Sequence, residues 1–273
     1  MNQAFIPSSW IDYELLDTGE GMKLERWKNY IMARPDPRII WAKGNLPLWE
    51  TADATFIDDK WNFKNHPPQD WVITYKAIKF RLKPTDFKHT GVFPEQAVNW
   101  DWLPKAGKVL NLFAYTGGAT IAAALQGAQV THVDSSKPAL SWARENAALS
   151  GIAQDKIRWI PEDALRFVQR EVKREAVYDG IIMDPPRFGR GASGEVWKLE
   201  ESLPKLVQEC KKLLSPSPTF FLINAYTADL SSTALGNLLA DVLDLRVEFG
   251  ELGLKETSQG RILPAGIFAR WKS

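Results

Sequence analysis

Three carboxylates and a pair of glycines occupy positions in this chain where they can do chemistry. Asp134 follows the apolar run QVTHV, Asp163 follows IRWIPE, Asp184 follows GIIM, and Gly117 and Gly118 close the run VLNLFAYT. A carboxylate accepts hydrogen bonds from both hydroxyls of a ribose. Asp134 lies seventeen positions after Gly117, close to the spacing expected of a nucleoside site. Glycines let backbone come close to a ligand, and a helix that follows offers free N–H groups. Glu162 and Asp163 are placed to meet the base of the same nucleoside. Asp184 is followed by Pro185 and Pro186, a rigid turn that holds a carboxylate still at the rim of a sheet.

These positions converge only if a parallel sheet brings them together. From Lys108 the chain alternates apolar runs with helical patterns: VLNLFAY, ATIAAALQ, QVTHVD, KPALSWARENAALSG, IRWIPED, ALRFVQREVKRE, YDGIIMDPP, LEESLPKLVQECKKLLS and TFFLINAY. Repeated strand, crossover, strand predicts an α/β fold with a mainly parallel sheet covered on both faces. After the helical SSTALGNLLADVL, the pieces LRVEFGELG and RILPAGIFARW read as a closing antiparallel pair, making seven strands. In such a sheet, ligands collect beyond the carboxyl ends of the strands, near the point where strand order reverses. Residues 1–90 have another character. There YELLDTG, LERWKNYIMARP, RIIWA, ATFID and WVITYKAIKFRLKP predict strands broken by Pro, Asp and Gly turns, hence a small antiparallel β domain ahead of an α/β domain over 91–273. Six of the twelve tryptophans lie at or before Trp71, where they help a small sheet bury enough surface.

Composition narrows the partners. Thirty-four basic against thirty-three acidic residues leave a formal charge of +1, so any nucleic-acid surface must be local. Cys210 is alone and His66, His89 and His132 are scattered, so neither a disulfide nor a metal is expected. The start MNQAFIPSSWIDYE lacks the basic residues and apolar run of a secretory signal, and no stretch is apolar for long enough to cross a bilayer; a cytoplasmic protein without membrane contact is expected. FAYTGGAT is not G-x-G-x-x-G, and no phosphate loop occurs, which favours a cofactor with ribose and base but no phosphate. Each feature also has a structural reading: Gly117 and Gly118 as a tight turn, Asp134 as a cap for Lys137-Pro138, Asp163 as a helix cap. Their recurrence in order at successive strand ends favours a ligand.

With HTGVFPEQ, VLNLFAYTGGAT, THVDSS, ARENAALSG, EDALRF and DPPRF in view, the chain from roughly Phe87 to Tyr226 resembles the class I S-adenosylmethionine-dependent methyltransferases, in the group near the ribosomal RNA large-subunit enzymes that modify cytosine or guanine. The resemblance implies a Rossmann-like fold, S-adenosyl-L-methionine as cofactor and S-adenosyl-L-homocysteine as product. It implies that His89, Thr90, Gly91, Phe93 and Gln96 close over the cofactor, although Phe93 can equally be packing. Phe113 would border the cofactor, Ala114, Tyr115, Thr116, Gly117 and Gly118 would take its methionine end, Asp134 the ribose, Ser135 the border of the adenosine, Asp163 and Ala164 the adenine, and Asp184 the reacting methyl.

The cytosine enzymes of this group carry a nucleophilic cysteine after the fifth strand, where this chain reads Ile223-Asn224-Ala225-Tyr226. Cys210 sits in a helical pattern instead and is expected to pack against the sheet. Methylation through a covalent adduct is therefore not expected. A nitrogen acceptor on an RNA base fits better, gripped by Asp184 and the carbonyl of Pro185, with Pro186 fixing the turn and Phe188 or Tyr226 as a stacking face. Phe188 as a core anchor is an equal alternative. Arg187 and Arg190 suit phosphate or an acidic substrate. Lys79, Arg81 and Lys83 alternate with Ile78, Phe80 and Leu82, which gives a basic ridge for RNA or, slightly preferred, a solvated strand face. The alternatives are a small-molecule or protein methyltransferase and a non-catalytic cofactor-binding module. Oligomeric state is not legible.

Overall fold

The computed structural model describes residues 4–86, 88–190, 196–227 and 229–273, with the side chain of Arg190 outside the description. Two compact units emerge: Ala4–Val98 with Leu252–Ala265, and Asn99–Glu251 with Gly266–Ser273.

In the first unit a five-stranded sheet is built from β1 (Tyr13–Gly19), β2 (Met22–Trp27), β3 (Tyr30–Pro35), β4 (Ala54–Ile57) and β5 (Lys60–Phe63). It is antiparallel except where β3 meets β4, which pair in parallel after a connection that carries the short helix α1 (Leu46–Trp49). A separate hairpin joins β6 (Val72–Tyr75) to β7 (Ile78–Arg81), turning at Lys76 with φ 51°. RIIWA, expected as a strand, is irregular and leaves Ile40 90% exposed, whereas KWNF, unread in the sequence, is β5. LERWKNYIMARP is two strands, because Lys28 takes a left-handed turn. Aromatic rings fill the interior as expected: Tyr13 lies 4.6 Å from Trp27 and Tyr30 5.0 Å from Trp71. The buried Glu25 accepts both arms of Arg34 at 2.6 and 2.8 Å, and Asp17, also buried, accepts from Asn45 N, Trp49 Nε1 and Ser258 Oγ.

The second unit begins within α2 (Ala97–Trp102) and holds the seven-stranded sheet, in the order β10-β9-β8-β11-β14-β16-β15. The strands are β8 (Lys108–Leu112), β9 (Gln129–Val133), β10 (Ile157–Ile160), β11 (Gly180–Met183), β14 (Phe220–Ala225), β15 (Glu248–Lys255) and β16 (Ile262–Lys272), with the outer parts of the last two counted in the first unit. The first five in spatial order run parallel, and β16 is antiparallel to β14. Helices α3 (Gly118–Leu125), α4 (Lys137–Leu149), α5 (Ala164–Lys173), α6 (Leu199–Lys211) and α7 (Ser232–Leu243) make the crossovers. A short hairpin of β12 (Phe188–Arg190) and β13 (Val196–Lys198) follows β11.

Alternation on the strands decides the layers. Leu110, Leu112, Val133, Ile181, Met183, Phe221 and Ile223 point into one apolar core with residues of α5, α6 and α7. Cys210 lies in that core, where burial pushes its thiol pKa well up. The expected packing role holds.

Candidate active site

Strand order reverses between β8 and β11, so the crevice expected of an open parallel sheet opens beyond Leu112 and Met183. Asp184 N donates to Leu112 O at 3.3 Å and ties the two ends together. From Leu112 the chain makes a tight turn in which Phe113 (φ 53°), Tyr115 (φ 47°) and Gly117 (φ 87°) are all left-handed. For the two non-glycine residues that conformation costs on the order of 1 kcal/mol each, and such strain persists only where surroundings hold it. They do so here: Ala114 N donates to Val133 O at 3.1 Å, Asn146 Nδ2 donates to Thr116 O at 3.0 Å, and Tyr115 N donates to Asp134 Oδ2 at 2.8 Å. A Cβ on Gly117 would stand 3.1 Å from Cβ of Ala143, tighter than ordinary contact, and a φ of 87° is one that side chains rarely adopt, so both space and backbone favour glycine. Gly118 then starts α3.

Asp134 closes the adjacent strand end. Its other oxygen accepts from Ser136 N at 2.8 Å, and Ser136 rather than Asp134 caps α4, through Ala139 N at 3.3 Å. Burial raises the pKa of Asp134, and the Ser136 and Tyr115 amides pull it partly back. A half-buried carboxylate with one backbone donor per oxygen keeps acceptor capacity for a pair of hydroxyls. Ser135 beside it is exposed. Asp163 is the N-cap of α5, accepting from Arg166 N at 3.0 Å, with Ala164 buried next to it. Glu162 is drawn away to Arg170, at 2.5 and 2.7 Å.

Beyond β11 the Asp184-Pro185-Pro186 turn is held by a residue the sequence reading missed. Trp197 Nε1, on β13, donates to Pro186 O at 2.6 Å, and its ring lies 5.0 Å from that of Phe113. Trp197 thus fastens the proline turn and the left-handed turn at once. Leu199 N donates to Arg187 O at 3.0 Å. Phe188 is 55% exposed and does not anchor the loop in the core. Arg187 pairs with Asp229, and Tyr226 lies over Gly266, whose Cβ would stand 3.0 Å from its ring.

The family model described as S-adenosylmethionine-dependent methyltransferase matches residues 58–240. The chain belongs to that family. The methyltransferase is similar to the ribosomal RNA large subunit methyltransferase K/L of Shewanella frigidimarina, 35% identical over 159 residues, 56% of this chain and 22% of that relative. It is similar also to the K/L enzyme of Shewanella baltica, 33% identical over 203 residues, 72% of this chain and 28% of the relative. The chain thus spans about a quarter of the length of these relatives. Among solved structures, a SAM-dependent methyltransferase from Agrobacterium tumefaciens matches with a TM-score of 0.92 and 38% identity, over 99% of this chain and 93% of the other. The methyltransferase SMU.776, solved with SAH, shares the fold at a TM-score of 0.76 and 17% identity, over 96% of this chain and 76% of the other. The residues present fit S-adenosylmethionine: beside the left-handed turn through Gly117, Asp134 accepts one backbone amide per carboxylate oxygen and keeps acceptor capacity for a pair of hydroxyls.

The other expected site residues of the methyltransferase lie in its first unit or outside the description. Thr90, Gly91 and Gln96 are buried there, and the His89 and Phe93 rings sit 5.4 Å apart. Burial pulls the pKa of His89 down to about 4, helped by the nearby Arg34. Phe87, at the edge of the resemblance, the stretch GASGE and the side chain of Arg190 lie outside the described residues. Of the basic ridge, Lys79 and Lys83 are exposed, while Arg81 bonds Asp70 at 2.9 Å. Among the described residues no cluster of His, Cys, Asp or Glu is placed to hold a metal ion, and no helix is long and apolar enough to cross a membrane.

Proposed function

We propose that the methyltransferase places a methyl group on a nitrogen of an RNA base, in large-subunit ribosomal RNA. The observation that carries the reading is the fastened Asp184-Pro185-Pro186 turn at the switch point, one strand from the glycine cradle. The names of the K/L relatives support RNA as the substrate class.

Bound S-adenosylmethionine supplies a methyl carbon made electrophilic by its sulfonium. The chain's task is positioning. Phe113, Ala114, Tyr115, Thr116, Gly117 and Gly118 hold the methionine end, Asp134 the ribose, and Ser135, Asp163 and Ala164 the adenine side. Asp184 and the carbonyl of Pro185 are acceptors only, so they grip N–H groups of the incoming base and keep its lone pair behind the methyl carbon. Phe188 or Tyr226 stacks on a base taken out of its helix. Arg187 meets phosphate, and the part before about residue 90, with Lys79 and Lys83, adds contacts to the RNA backbone. No covalent adduct with the protein is needed, in keeping with the buried Cys210.

The test is transfer of radiolabelled methyl from S-adenosylmethionine to an unmodified large-subunit ribosomal RNA transcript, with nucleoside analysis of the product. Asp134→Ala is expected to weaken cofactor binding about ten- to hundredfold. Asp184→Ala should keep most of that binding and lower turnover about a hundredfold or more. Equal loss of cofactor affinity in both variants contradicts the division of labour, and unlabelled RNA in the presence of cofactor binding overturns the substrate reading.

A further inference from the structure

Behind the Asp184 turn runs a chain of buried polar groups that the reaction, as described so far, does not use. Asn224 is the penultimate residue of β14 and only 2% exposed. Met183 of β11 pairs with Ile223 of β14, so Asp184 and Asn224 follow side by side at the two strand ends. Because Ile223 enters the apolar core, Asn224 leaves the sheet on the opposite face. There its Oδ1 accepts from Asn99 Nδ2 at 2.8 Å, Asn99 Oδ1 accepts from Arg270 Nη1 at 2.9 Å, and Arg270 Nε donates to Glu248 Oε2 at 2.6 Å. The Arg270 guanidinium also lies 4.3 Å from the ring of Phe268 and 4.7 Å from that of Trp102.

Donor and acceptor roles propagate along this chain in one direction. A guanidinium can only donate, so Asn99 must turn its oxygen to Arg270. Its NH2 is then what reaches Asn224, which must receive with its own oxygen. The orientation of an asparagine amide is ordinarily an assignment from its surroundings. Here a donor-only group two residues away dictates it, and the Asn224 NH2 is left as a donor turned away from Asn99. Glu248, whose side chain is 46% exposed, balances the buried cation from a water-reachable end.

We propose that Asn224 is a specificity-determining residue for methyl transfer, its NH2 donating to the acceptor while the neighbouring Asp184 accepts from it. The inference rests on Asp184 holding the acceptor. A donor beside an acceptor selects a nucleobase edge in which an N–H group adjoins a carbonyl or a ring nitrogen, and discriminates against a simple amine. At 2% exposure bulk water does not saturate the donor, so the match is worth more than it would be on the surface. The residue stands in the stretch where the resemblance would seat a nucleophilic cysteine. This chain has an oriented amide there instead.

Asn224→Asp is the decisive variant, because it keeps shape and the acceptor for Asn99 while removing the donor. Its kcat/KM per folded molecule with the unmodified ribosomal RNA transcript should fall about ten- to hundredfold, with cofactor affinity within about twofold of wild type, while the added buried carboxylate beside Asp184 lowers the thermal midpoint. Asn99→Leu frees the amide to flip and should lose less, chiefly in kcat. Both variants lower the thermal midpoint under either reading, and a purely structural role would leave kcat/KM per folded molecule alone. Crystals of the complex with S-adenosylhomocysteine give an arm that needs no acceptor: Asn224 Nδ2 bonded to water in the cleft beside Asp184 supports the proposal. A protein acceptor on that nitrogen, or full activity of Asn224→Asp, overturns it. If wild-type protein labels no RNA, the RNA reading fails by itself, and the acceptor-free arm still decides the role of Asn224.

Discussion

The same strands of the seven-stranded sheet furnish two different faces. Toward α5, α6 and α7 they present Leu110, Val133, Met183, Phe221 and Ile223, all without exposure. Toward the other side they present Asn111, His132, Asn224 and Arg270, joined into Asn111–Thr120–His132 and Asn224–Asn99–Arg270 chains. Apolar burial is non-directional: it stabilises without caring how a side chain is turned. A buried polar chain is satisfied in one arrangement only, so it orients its members. In this molecule Asn146, on α4, also belongs to the polar set, gripping Thr116 O under the glycine turn. Ile182, Leu222 and Phe268 are buried on that second face as well, so both faces stabilise the sheet, and the aim of the reacting groups depends on the polar chains threaded through one of them.

That contrast can be broken experimentally. Phe221→Ala removes a fully buried ring from the apolar face and is expected to cost about 3–5 kcal/mol in urea unfolding, with cofactor affinity per folded molecule unchanged. Arg270→Met should cost less, about 1–3 kcal/mol, since it leaves Asn99 Oδ1 without its donor. It should nevertheless lower methyl transfer at unchanged cofactor affinity. Arg270→Met as unstable as Phe221→Ala and with normal turnover would erase the distinction between the faces.

The smallest effect lies in pH dependence. Burial lowers the pKa of His132 from 6.5 to about 3, with Arg144 adding to the shift. Burial likewise lowers that of His89 to about 4. Between the folded and unfolded values the native chain binds fewer protons than the unfolded one, so these two groups make stability rise with pH up to about 6.5 and add no slope above. His132→Gln should shrink the difference in thermal midpoint between about pH 5 and pH 7.5 without abolishing it, because His89 still contributes. An unchanged difference would mean that His132 is not held neutral on the polar face.

Local chemistry was enough for much of this molecule. Apolar alternation and helical periodicity in VLNLFAY, ATIAAALQ, QVTHVD and their successors specified a parallel α/β sheet, and turn residues put Gly117, Asp134, Asp163 and Asp184 at its strand ends, because each of those signals is complete within about ten residues. Short apolar runs were ambiguous. RIIWA carries the composition of a strand but stays irregular, its Ile39 and Trp41 carbonyls accepting from Gly21 N and Glu20 N at the β1–β2 turn, while the plain KWNF becomes β5 because β4 lies ready beside it. What only the tertiary structure decided was pairing across distance. Trp197 meeting Pro186 and Phe113, Arg187 meeting Asp229, and Asn99 joining Asn224 to Arg270 leave no pattern along the chain. Asparagine, arginine and tryptophan side chains can serve many partners, and only the closed fold, by excluding water, makes one of those partners obligatory.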